Sequence, residues 1–204
     1  MLFEDTYKTI ENISEGLFKD RGSKFIALAI PVNNESQVKE HLSALRKKYH
    51  DARHHCYAYQ LGFDKSSYRI NDDGEPSGTA GKPIFGQILS HDLTNILIVV
   101  VRYFGGTKLG VSGLINAYKT STKDALNNAK IIEKTINEVY EIIYDYPVMN
   151  AVKKIIKEES ITQTSQKFDL NCKINFLIRK NNSLRIYEKF KKIKGLKINY
   201  LHTE

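Results

Sequence analysis

Apolar positions divide the chain into short alternating runs and longer stretches with helical spacing. Residues 6–32 read as extended: Tyr7, Ile10 and Ile13 open the run, Gly16 and Gly22 punctuate it, and residues 25–30 are strongly apolar. Val38, Leu42, Leu45 and Tyr49 then repeat at helical intervals, with Asn34 and Ser36 as candidate caps. Residues 55–61 return to strand character. A short helix is predicted over 84–89. The β-branched run 96–101 reads as a buried central strand. Leu114, Tyr118, Ser121, Thr122, Ala125 and Ala129 mark one face of a long helix.

The character changes around 131–137. Beyond it the pattern predicts a strand over 139–146, a helix over 147–159, strands over 162–170 and 171–178, a helix over 183–194 and a strand over 196–201. Pro147 suits a first helical turn and Gly195 a helix stop. The order βαββαβ is ferredoxin-like. The chain therefore reads as two α+β domains, residues 1–133 and 134–204.

Composition changes this picture modestly. With 204 residues and 41% hydrophobic content, the chain can bury one large or two small cores. The formal net charge of +8 suits an acidic partner such as nucleic acid. A composition rich in Lys, Ile and Asn gives the same balance without any binding role. The C-terminal part, residues 137–204, is the more basic per residue, with 13 Lys and Arg against 8 Asp and Glu. Lys153, Lys154, Lys157, Lys189, Lys191, Lys192 and Lys194 would lie on its two helices, where a solvated face is the ordinary explanation. Cys56 and Cys172 belong to no Cys-x-x-Cys pair, which argues against a zinc or redox site. The N-terminal residues 1–5 lack signal-peptide character, and the longest apolar run is too short to span a bilayer. A cytoplasmic protein without membrane association or cofactor is expected.

Candidate chemistry concentrates between residues 72 and 118. Eight of the twelve glycines lie between 74 and 113. Such density implies unusual dihedrals or close backbone approach. In the first glycine-rich stretch, Asp72, Asp73 and Glu75 repel one another unless a cation sits among them. Alternatively they form an acidic turn whose carboxylates accept backbone N–H bonds. The spacing is not that of an EF-hand, and no metal ligand set is assigned. The second stretch, 102–113, precedes a helix and offers Arg102, Lys108 and backbone amides to an anion. It is neither a Walker A loop nor a dinucleotide fingerprint. His54 and His55 are adjacent on a strand, so only one can face the loops, where it could act as an acid–base group. Tyr57, Tyr59, Tyr103, Phe104 and Tyr118 could stack on bases or fill the core.

Three segments carry a family resemblance: Ala52-Arg53-His54-His55-Cys56-Tyr57-Ala58-Tyr59, the stretch from Asp72 through Gly81-Lys82-Pro83, and Val99-Val100-Val101-Arg102-Tyr103-Phe104-Gly105-Gly106-Thr107-Lys108-Leu109-Gly110. In them the chain resembles the YigZ/IMPACT family, as a bacterial two-domain member. The resemblance implies an N-terminal domain like domain 2 of ribosomal protein S5. It implies a C-terminal ferredoxin-like domain similar to domain V of elongation factor G. Both folds recur in translation factors, and eukaryotic relatives are translational regulators. No established enzymatic activity comes with the family. Arg53 stands where the family often has Thr, and Asn116 lacks its basic side chain.

The leading expectation is a protein that binds RNA or the ribosome and regulates translation. Lys82, Arg102, Tyr103, Gly105, Gly106, Lys108 and Lys119 are the candidate phosphate-binding residues, with Tyr57 or Tyr103 stacking on a base. The alternative is a hydrolase or transferase acting on a small phosphorylated or peptide-like substrate, with His54, His55, Asp72, Asp73 and Glu75 as catalytic candidates. A protein-interaction surface is the third reading.

Overall fold

The computed structural model describes residues 5–204; the reading of the N-terminal leader falls largely on residues 1–4, outside them. The chain divides into two compact units, Tyr7–Lys134 and a second made of Thr135–Glu204 with Asp5 and Thr6.

The larger unit is built on a five-stranded sheet in the order β2-β3-β6-β4-β5. Its strands are β2 (Ser14–Asp20), β3 (Ser23–Pro31), β4 (His54–Leu61), β5 (Ser67–Asn71) and β6 (Ile96–Tyr103), and every pairing is antiparallel. Helix α1 (Glu35–Lys48) covers one face; α2 (Gly81–Ser90) and α3 (Gly110–Asn127) cover the other. Strand β1 (Thr6–Ile10) pairs separately with β7 (Ile131–Thr135).

Because helices lie on both faces, β6 is buried along nearly its whole length, hence its unbroken apolar sequence. Side chains still alternate across the sheet. Ile96, Ile98 and Val100 join Ile84, Ile88, Leu114 and Tyr118 beneath α2 and α3. Leu97, Val99 and Val101 join Val38 and Leu45 beneath α1. Burying each such side chain contributes roughly 1.5–3 kcal/mol. Asn34 caps α1 by accepting the Gln37 amide at 3.0 Å.

The smaller unit runs β8 (Asn137–Tyr144), a 3-10 turn, α4 (Met149–Glu158), β9 (Thr162–Phe168), β10 (Cys172–Arg179), α5 (Lys180–Lys191) and β11 (Lys197–Thr203). Its sheet order, β11-β8-β10-β9, with antiparallel pairings throughout, is the ferredoxin-like arrangement. Ile142, Tyr144, Ile174 and Phe176 pack against Val152, Ile156, Ile186 and Phe190 from the two helices. Arg179 clamps Asp5 with Nε and Nη2, at 2.5 and 2.9 Å, and this pairing lowers the Asp5 pKa.

Strands β5 and β7 depart from the sequence reading. Their side chains are exposed or only partly buried, so neither shows clean hydrophobic alternation. Helix α2 also starts earlier than its apolar spacing indicates. The Asp72 carboxylate reaches its first turn from outside the helix, accepting the Ala80 and Gly81 amides at 3.0 and 2.8 Å. No local spacing rule encodes that cap.

Candidate functional site

The three motif segments converge at one end of the larger unit's sheet. The His54 end of β4 lies beside the Arg102 end of β6, as the His54–Arg102 register pair requires. Continuing the alternation along both strands puts His54, Cys56 and Arg102 on the α2/α3 face. It puts His55, Tyr57 and Tyr103 on the α1 face.

On the α2/α3 face a cleft of about 500 Å³ opens between the strand ends and the start of α3. Arg53, His54, Glu75, Pro76, Arg102, Phe104, Lys108, Leu109, Gly110, Val111 and Leu114 line it. Two glycines shape its rim. A Cβ on Gly105 would lie 1.9 Å from the Gly22 carbonyl carbon, so only glycine lets the two turns meet. Gly110 opens α3 at φ +75°, a conformation that penalises side chains. Leu109 precedes it, and its side chain makes no capping hydrogen bond.

The cleft floor is a buried charge network. Glu75 and Arg102 form an ion pair, Nη1 to Oε1 at 2.5 Å, with side chains only 3% and 7% exposed. Tyr118 donates its hydroxyl to the same Glu75 oxygen at 2.8 Å. Cys56 lies 3.3 Å from the Tyr118 hydroxyl and donates to the Asp72 carbonyl at 2.9 Å. Burial pushes the Cys56 thiol up to about 12 and the Tyr118 hydroxyl well above its usual range. Both stay protonated, so Tyr118 serves as a donor that holds Glu75. The Arg102 guanidinium packs between the rings of Phe25 and Phe104, at 5.5 and 5.7 Å. Its Nε is buried without a hydrogen-bond partner.

The three carboxylates of the acidic stretch have separate sets of donors. Asp72 Oδ2 accepts the Gly78 amide at 2.9 Å, in addition to the two α2 amides on Oδ1. Burial opposes its ionisation, but these bonds outweigh burial and its pKa is lowered. Asp73 accepts from the His55 amide at 2.7 Å and from Arg46 at 2.8 Å. Its pKa is lowered likewise, against burial, chiefly by Arg46. Glu75 belongs to the cleft floor. Among the described residues, no group of three His, Cys, Asp or Glu side chains is arranged to hold a metal ion.

The histidines separate as strand alternation requires. His54 Nδ1 sits 2.8 Å from the Asp73 carbonyl, which can only accept. That bond places the proton on Nδ1 and leaves Nε2 as the ring's other nitrogen. The His55 ring is buried, its Nε2 lacks a partner, and its pKa is lowered by burial and then by Arg46.

The phosphate-binding candidates are only partly brought together. Arg102 and Lys108 line the cleft, with Gly105 and Gly106 in the loop between them. Arg102 is already engaged by Glu75, which limits it as an open phosphate contact. Tyr103 lies on the opposite face, bonded to Asp51 at 2.8 Å, and Tyr57 is buried in the α1-side core. Neither can share the cleft with Arg102. Lys82 and Lys119 are exposed on α2 and α3 but do not line the cleft. Sequence reasoning passed over Arg53 as a cleft cation and gave no particular weight to Phe104, a residue 56% exposed at the rim. Strand parity could have signalled Phe104 once Arg102 was known to face inward, but it gives no signal for Arg53, which precedes β4 and has the opposite parity to His54.

Residues 21–126 match the Impact N-terminal domain. IMPACT family member YvyE of Bacillus subtilis is 33% identical, over 75% of this chain and 70% of its own. IMPACT family member YigZ of Escherichia coli is 34% identical, over 66% of this chain and 67% of its own. A crystal structure of a hypothetical protein, 24% identical, shares the fold across 98% of this chain and 99% of its own, with a TM-score of 0.73. On the strength of that domain match and those relatives, the chain belongs to the IMPACT family.

Proposed function

We propose that this protein binds RNA, free or within the ribosome, and acts in the regulation of translation. The observation that carries the reading is the rim of the cleft. There the exposed Phe104 ring, braced from beneath by Arg102, sits with Arg53, Lys108 and the start of α3. An aromatic platform beside cations is how proteins hold an unpaired nucleotide: the ring stacks the base, and the cations and amides meet phosphate. The cleft volume of about 500 Å³ has room for one nucleotide. The IMPACT resemblance, with its translational regulators, supports the biological setting.

Fluorescence anisotropy with a labelled oligouridylate, read from about 50 to 200 mM salt, tests the proposal. Phe104→Ala should weaken binding by roughly 5- to 150-fold, the equivalent of about 1–3 kcal/mol of stacking. Lys108→Glu should weaken it most at low salt. If the wild-type chain binds neither oligouridylate nor ribosomes in a salt-dependent way, the reading is wrong.

One observation favours a second reading, an enzyme on a small phosphorylated or peptide-like substrate. With its Nδ1 proton held by the Asp73 carbonyl, His54 has Nε2 available as a proton acceptor at the cleft. Turnover that His54→Gln abolishes while RNA affinity stays unchanged would support it.

A further inference from the structure

The helix-free face of the smaller unit's sheet carries a row of lysines that the strand registers define. Ile143 of β8 opposes Lys197 of β11 on one side and Lys173 of β10 on the other. Lys173 in turn opposes Lys167 of β9. Directly opposed residues share a face, so the row runs Lys197, Ile143, Lys173, Lys167 across all four strands. The neighbouring residues Ile142, Ile174 and Ile198 pack with the helices, which puts the lysines on the other face. All three lysines are exposed. With strands about 4.8 Å apart, the row spans roughly 14 Å. The next row on the same face is polar: Asn199, Glu141, Asn175 and Ser165.

Fold stability gives no reason for this row. Like charges directly opposed on paired strands destabilise a sheet, and Lys173 opposes Lys167. Lysines on edge strands deter sheet-to-sheet aggregation, which accounts for Lys167 and Lys197. It does not account for Lys173, whose strand is paired on both sides. Asp169 pairs with Lys167 at 2.8 Å, but both side chains are well exposed and such a pair contributes little. Glu141, the row's acidic neighbour, accepts from Asn199 at 3.3 Å. Two of the helix lysines have acidic partners instead, Lys189 with Glu159 and Lys154 with Glu158.

We infer that this sheet face is a track for the backbone of single-stranded RNA, with Lys167, Lys173 and Lys197 on successive phosphates. The adjoining amide and hydroxyl row faces the ribose hydroxyls and base edges. Those groups can read RNA but offer nothing to lipid tails, which favours nucleic acid over an anionic membrane. The class of ligand rests on the RNA reading above; the surface itself is independent of the cleft.

The full chain is tested as two variants with equal charge loss. One is Lys167→Gln/Lys173→Gln/Lys197→Gln on the sheet. The other is Lys153→Gln/Lys154→Gln/Lys157→Gln on α4. Oligouridylate affinity is measured against salt for each. Three lost phosphate contacts should flatten the log–log slope by about 2, from roughly 0.7 per single-strand phosphate, and the α4 variant should leave the slope unchanged. Equal effects of the two variants would overturn the proposal, because net charge alone would then explain binding. So would loss of binding to phosphatidylserine vesicles with RNA affinity intact. Lys108→Glu separates the two sites. If it alone weakens binding, the cleft reading stands and the sheet track fails; if only the sheet variant weakens it, the reverse holds.

Discussion

The buried Glu75–Arg102 pair allows a quantitative forecast. Glu75→Gln keeps the shape and an acceptor for Tyr118 but removes the charge that faces Arg102 across 2.5 Å. Arg102, only 7% exposed on its side chain, would keep its charge with two aromatic rings around it and no anion. Breaking a buried pair on one side costs about 3–5 kcal/mol. The cleft gives the guanidinium some solvent, so the lower end, about 3 kcal/mol, is expected. Adding Arg102→Met removes the stranded charge, and the double variant should recover to within about 1 kcal/mol of wild type. Arg102→Met alone strands the buried Glu75 carboxylate and should also cost about 3 kcal/mol, so the coupling energy between the two sites would be about 5 kcal/mol. Amide hydrogen exchange on β6 reports the opening free energy of this unit separately from the other, which a global melt would not. The reasoning is refuted if Glu75→Gln costs less than about 1 kcal/mol, or if the Arg102→Met and Glu75→Gln effects simply add.

Two further outcomes follow from the charged and nucleophilic groups. Cys56 and Cys172 are fully buried, and burial pushes Cys56 to about 12, so a disulfide reagent at pH 8 should label neither in the folded chain and both in concentrated urea. Rapid labelling of native Cys56 would contradict the packing beneath the cleft. In the smaller unit, hydrogen bonds from Arg185 and Lys189 pull Glu159 from 4.5 down to about 2. A depressed folded pKa means stability is present above about 4.5 and is lost as pH falls toward about 2. Glu159→Gln should therefore flatten the dependence of the urea midpoint on pH across that window. An unchanged acid limb would show that these half-exposed cations do not hold Glu159 in solution.

Much of the secondary structure was legible because it is local. The β-branched run 96–101 reads as a buried strand, and the spacing of Val38, Leu42 and Leu45 suits an amphipathic helix. The βαββαβ order of the C-terminal part was likewise written in alternating periodicities. Strand alternation alone also separated His54 from His55. What the spacing could not give is which face the glycine-rich loops fold over, since that depends on strand order and on helices far along the chain. That choice put Tyr103 with α1 and Arg102 in the cleft. It joined Glu75 to Arg102 and Tyr118, and it spent the Asp72 carboxylate on capping α2. In the smaller unit, strand register in turn set Lys167, Lys173 and Lys197 in one row, although they lie on three separate strands. The sequence by itself determined which residues could bear charge, stack or turn. Only tertiary pairing decided which of them meet, because partners brought together across a sheet leave no mark in local periodicity.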